Sequence, residues 1–237
     1  MRFSFRAACR RVPAILATAI LASSAGAQEQ SGPAFRPGAL LTTDNTNYLM
    51  SVSSDKQAGI VIFDGLEKQL DGIGAPLFAT RPFSISMPLE GAEKGVKIGV
   101  IFNGYIWRLK GTDISLITTV NGQTSFMDFA KFAPASGGVM GEECKQFGSE
   151  QALDVVRRKV DTKYSVAPKK PAIADTRVPN ALAAENDGDF LHCILLDVRS
   201  ASDLRINVVF ALHRHNRDTS GYLNVTTISA LVQSGTK

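Results

Sequence analysis

Apolar and polar residues alternate with a period of two along most of this chain. Val96-Lys-Ile-Gly-Val-Ile-Phe102 leads into Asn103-Gly104, and Tyr105-Ile-Trp-Arg-Leu-Lys110 leads out. Asn-Gly supplies the two positive-φ residues of a type I′ turn. The pattern predicts a hairpin with Phe102 opposite Tyr105, Val100 opposite Trp107 and Ile98 opposite Leu109, all six on one buried face. A second pair, Asn121-Gly122, folds residues 114–120 onto 123–129 in the same way. Upstream, residues 48–53, 60–63 and the alternating Phe83-Ser-Ile-Ser-Met87 read as strands. Asp64-Gly65 offers another tight turn, and residues 66–82, with their glycines and prolines, read as a long connection.

The C-terminal fifty residues alternate again. Residues 190–198, 204–213 and 222–232 read as three strands joined by polar turns, a meander. In the middle strand Leu204, Ile206, Val208, Phe210 and Leu212 point one way, and Arg205, Asn207, His213 and His215 the other. One segment has helical periodicity instead. Residues 150–164 follow Ser149, a natural N-cap, and place Leu153, Val156, Val160 and Tyr164 on one face. Pro/Ser/Gly-rich residues 133–141 precede it, and a Pro- and Ala-rich loop, 165–188, follows. The reading is a mainly β fold: an antiparallel sandwich built from hairpins and the C-terminal three-strand meander. A single α-helix sits near 150–164, in a helix-plus-loop insertion at about 141–188.

Residues 1–27 depart from this pattern. Arg2, Arg6, Arg10 and Arg11 form a basic stretch without acids, an apolar run follows from Val12 to Leu21, and Ala25-Gly-Ala27 offers a small–x–small cleavage site. These are the parts of a secretory signal peptide, so the expected mature chain is 28–237, a single domain. The apolar run is about half of what a membrane-spanning helix needs, and no membrane span is expected after cleavage.

Cleavage changes the electrostatic picture. The chain has 26 Lys+Arg against 22 Asp+Glu, and the four arginines of 1–27 account for the whole excess. A near-neutral mature protein lacks the basic field that nucleic acid or an anionic membrane requires. The local run Arg157, Arg158, Lys159, Lys163, Lys169 and Lys170 reads as a solvated helix face and linker. Two cysteines remain, Cys144 and Cys193. In the periplasm or outside the cell such a pair forms a disulfide. It closes a loop of roughly 50 residues, worth about 4 kcal/mol in the chain-entropy model.

Catalytic motifs are sparse. There is no Walker-type phosphate loop, no Gly-x-Ser-x-Gly elbow and no His-Glu-x-x-His. Ser53-Ser-Asp-Lys56 matches Ser-x-x-Lys but lacks its companion motifs and reads as a surface turn. Glu185-Asn-Asp-Gly-Asp189 gathers carboxylates around a glycine without the rest of a calcium loop and reads as a polar turn. The histidines are the one constellation with chemistry. In a meander whose connecting turn is even-numbered, Arg199 opposes Leu204, and His192 falls diagonal to His213 on one strand face with His215. His192, His213 and His215 then form a three-nitrogen site for zinc, with Asp189 as a fourth ligand.

The functional expectation is an exported, periplasmic or secreted, non-enzymatic β-sandwich: a binding or structural module for a protein or small-molecule ligand. It needs no cofactor beyond the zinc that the histidines would hold. The alternatives are a periplasmic hydrolase with site residues dispersed in sequence, or a histidine-based metal-binding protein.

Overall fold

A computed structural model of the chain describes residues 32–37, 46–92, 95–132, 139–141, 143–144 and 184–233. Alternating sequence becomes strand throughout. In chain order these are β1 (Ala34–Phe35), β2 (Asn47–Val52), β3 (Ala58–Asp64), β4 (Glu67–Leu70), β5 (Phe78–Glu90) and β6 (Val96–Leu109). Then come β7 (Thr112–Val120), β8 (Gln123–Asp128), β9 (Val139–Met140), β10 (Ala184–Val198), β11 (Asp203–Arg214) and β12 (Gly221–Gln233). The helical residues among those described are all 3₁₀: residues 143–144 and a turn at Phe129–Lys131, capped by the Asp128 carboxylate accepting from the Ala130 N–H. The predicted helix at 150–164, the predicted signal segment at 1–27 and most of the predicted insertion lie outside the described residues.

The strands form two sheets. The first runs β1-β5-β11-β7-β8. The second runs β2-β3-β12-β6-β10-β9, with β4 also paired to β12. All pairings are antiparallel except the short contact of β9 with β10. Inward positions of both sheets share one core. Phe83, Met87, Leu116 and Phe210 come from the first sheet, and Val100, Phe102, Phe190 and Ile228 from the second, all under 2% exposed. Each such side chain contributes roughly 1.5–3 kcal/mol of burial, which fixes which face of each strand is inside.

Three sequence expectations change here. The first is the hairpin at Asn103-Gly104. β6 runs straight through this pair as the strand shared by β10 and β12. Ile106 enters the core with Phe102, whereas Tyr105 and Trp107 lie outside it. Asn103-Gly104 faces a bulge in β12 between Val225 and Thr227. The Thr226 hydroxyl donates to the Asn103 carbonyl at 3.0 Å. Gly104 is extended and is required by space: an added Cβ would fall on the Asn224 carbonyl oxygen and 2.6 Å from the Phe190 ring. Asn121-Gly122 behaves as its sequence predicts, with φ of 46° and 86°, and joins β7 to β8.

The second correction concerns the C-terminal meander. β10 and β12 flank β6 in one sheet, while β11 pairs with β5 and β7 in the other. Period-two alternation tells which face of a strand is buried. It is silent on which strand lies alongside. The third correction is the long connection at 66–82. β4 and the first part of β5 occupy it, and Pro82 sits in β5 opposite Val209. Proline is tolerated there because, among the described residues, β11 is the only strand paired with β5 at that point, so the far side needs no ladder donor.

The Cys144–Cys193 disulfide is formed, with Cα atoms 5.0 Å apart. It lies beside Ile101 on the outer side of the second sheet, where both cysteines are buried. A disulfide of this kind points to an oxidising compartment.

Candidate functional site

Two of the three histidines come together, and a carboxylate joins them. His213, the penultimate residue of β11, sits directly opposite Asp113 of β7 and Phe78 of β5. His215 follows two residues later, its backbone N–H donating to the Gly111 carbonyl at 2.8 Å. Asp113 Oδ2 is 2.8 Å from His215 Nε2 and 3.7 Å from His213 Nδ1. The two imidazoles are 5.3 Å apart between ring centroids. One donor atom from each of Asp113, His213 and His215 lies within 4.8 Å of the others. All three side chains are about half exposed.

Between the two histidines, Arg214 points the other way and is completely buried. Its guanidinium donates to the carbonyls of Gly72 and Thr219 at 3.0 Å and of Ala75 at 2.8 Å. Its backbone N–H holds the Leu77 carbonyl at 2.7 Å. The side-chain bonds satisfy the two terminal nitrogens, which is what keeps a buried guanidinium stable, while Nε has no partner among the described residues. The result is a braced loop, 71–77, at the same end of the sandwich as the histidines. It carries two exposed large apolar residues, Ile73 (73%) and Leu77 (43%), and a third, Phe78 (57%), follows at the start of β5. The Phe78 ring is 6.5 Å from that of His213.

His192 does not join this cluster. It lies on β10, in the other sheet, opposite Phe102. It points into the space between the sheets, is 1% exposed, and its Nε2 is 3.1 Å from the Thr118 hydroxyl of β7. Burial pushes its pKa from 6.5 down to about 4, opposed only in part by the Glu143 carboxylate. It is a neutral histidine of the interior. Nδ1 has no hydrogen-bond partner among the described residues. The predicted His192–His213–His215 site therefore fails. The assumed pairing of β10 with β11 does not exist, and the two strands turn their histidines to different faces of different sheets. Asp189 is likewise remote in register, opposite Tyr105 of β6.

Other polar groupings are consumed by the fold. In Ser53-Ser-Asp-Lys56 the serine hydroxyl donates to Asp55 at 2.6 Å and accepts the Ala58 N–H at 2.9 Å, a turn with Lys56 at φ 56°. Glu185-Asn-Asp-Gly-Asp189 is the start of β10 rather than a turn. Glu185 pairs with Arg108 at 2.6 Å, and Asp187 accepts from the Tyr105 hydroxyl. Tyr222 donates to Glu67 at 2.7 Å. Burial, reinforced by these carboxylates, holds both phenols above the usual range, so they act as hydrogen-bond donors. Asn224, which begins a glycosylation-like Asn-Val-Thr, is 2% exposed.

The sequence concealed Asp113. Nothing near it marks a ligand, and it meets the histidines only through the β7–β11 pairing. Arg214 was concealed as well, since it reads as surface within His213-Arg-His-Asn-Arg217. No protein-family model and no curated protein matches this chain.

Proposed function

We propose that the protein is exported and works outside the cytoplasm by binding a protein partner rather than by catalysis. The observation that carries this reading is the braced end of the sandwich. Exposed apolar side chains are usually an entropic and solubility liability, yet here a buried arginine holds Ile73, Leu77 and Phe78 outward. Preorganised apolar surface of this kind binds with little ordering cost. The signal-like residues 1–27 and the disulfide support export.

The test is site-specific photo-crosslinking of the full chain in a bacterial host, followed by fractionation. A photoreactive residue replaces Ile73 in one strain and Phe126, exposed at 53% on β8, in another. The expected result is an exported chain starting at Gln28, with a discrete-mass adduct from position 73 that Leu77→Asp abolishes. Retention of the chain in the cytoplasm, or the same adducts from both positions, would contradict the reading.

A further inference from the structure

We infer that Asp113, His213 and His215 form a binding site for one divalent transition metal of the zinc class. The inference goes beyond the partner-binding reading and is independent of it, since it rests on donor geometry and not on the apolar loop.

The donor chemistry selects the metal. Two neutral imidazoles and one carboxylate are the ligand types that zinc, cobalt, nickel and copper take. Magnesium and calcium prefer oxygen-only sets and are poorly served here. The distances are close to what coordination requires. Donors at 2.0–2.1 Å from a tetrahedral zinc stand about 3.3 Å apart. The two separations from Asp113 Oδ2, 2.8 and 3.7 Å, bracket that value. The third, between imidazole donors, is no more than 4.8 Å, and half-exposed rings can rotate to shorten it.

The backbone beneath the donors is fixed, which lowers the ordering cost of metal uptake. His213 is paired on both sides, to Asp113 and to Phe78. Arg214, between the two histidines, is anchored by its buried guanidinium, and the Gly111 carbonyl anchors the His215 backbone. Without metal, the Asp113 carboxylate is hydrogen-bonded to the His215 imidazole at 2.8 Å, which sets the direction of that ring in advance. Three protein donors on an open surface leave at least one coordination position for water or an outside ligand.

The test is zinc titration of the exported chain, at neutral pH, in competition with a chromophoric chelator. One zinc per chain is expected. Asp113→Ala, His213→Ala and His215→Ala should each weaken binding by roughly tenfold or more, the scale on which a single lost interaction at a metal site is felt. His192→Gln should leave it unchanged, and so should Ile73→Asp, which separates this inference from the partner-binding one. Cobalt substitution should give a visible absorption band that His215→Ala removes. Circular dichroism of the three alanine variants should match the parent, because the replaced side chains are exposed. Failure to take up zinc, or uptake that survives His213→Ala and His215→Ala, would overturn the inference.

Discussion

The interior between the two sheets and the rim at their ends use the same residue types to opposite purposes. Asn121-Gly122 lies at the rim, with open space around the glycine, and its positive φ values make the turn. Asn103-Gly104 lies in a strand bordered on both sides, and its glycine is there because a β-carbon would not fit. The histidines divide in the same way. His213 and His215 stand half exposed at the rim beside a carboxylate, and His192 is sealed in the core against a threonine. A sequence motif thus names a capacity, and the surroundings decide which part of it is used. Asn-Gly offers both conformational freedom and small size, and each pair uses one of them.

The contrast can be broken most severely at Gly104. Gly104→Ala should cost about 3 kcal/mol, the top of the overpacking range, because the obstacle is the Asn224 backbone and not a side chain that can swing away. The urea unfolding midpoint measures it. A loss as small as that of an ordinary turn glycine would show that Gly104 is not enclosed.

The second effect appears only in acid. His192 is neutral when folded and titrates near 6.5 when unfolded, with a folded value of about 4. Both states are neutral above pH 6.5, so it has no effect there. As the pH falls below that, the unfolded chain takes up the proton first, and stability declines until about pH 4. The loss amounts to about 3 kcal/mol. Measured as denaturation midpoints at pH 7 and pH 4.5, the slope should be visibly reduced in His192→Gln. It should remain in a His213→Ala/His215→Ala double variant. An unchanged slope in His192→Gln would place that histidine in contact with solvent.

The smallest effect belongs to the rim turn. Gly122→Ala meets no atoms within 4 Å, so its cost is only the positive φ of 86°, about 1 kcal/mol. A cost equal to that of Gly104→Ala would erase the distinction between space and conformation.

This contrast also marks what was legible in the sequence. Leu204 to Leu212 gave the buried face of β11, and the two cysteines gave the disulfide, because alternation and pairing of rare residues are local or arithmetic signals. The sheet partner of β11 was not legible. The connection from Val198 to Asp203 crosses from one sheet to the other, and no residue in it distinguishes a crossing from a hairpin. That single missing fact misassigned His192 to the rim cluster and hid Asp113 from it. The continuity of β6 was hidden for a related reason: the Asn224 carbonyl beside the bulge in β12 and the nearness of Phe190 explain a glycine at 104, and both come from elsewhere in the chain.

The second sheet depends on β6 being one uninterrupted strand between β10 and β12. Through-space proton contacts in isotope-labelled protein test it most directly. Val100 should contact Ile194 and Ala230, and Asn103 should contact Leu191 and Thr227. Contacts of Val100 with Trp107 and of Phe102 with Tyr105 would mean that the chain turns at Asn103-Gly104, and would contradict it.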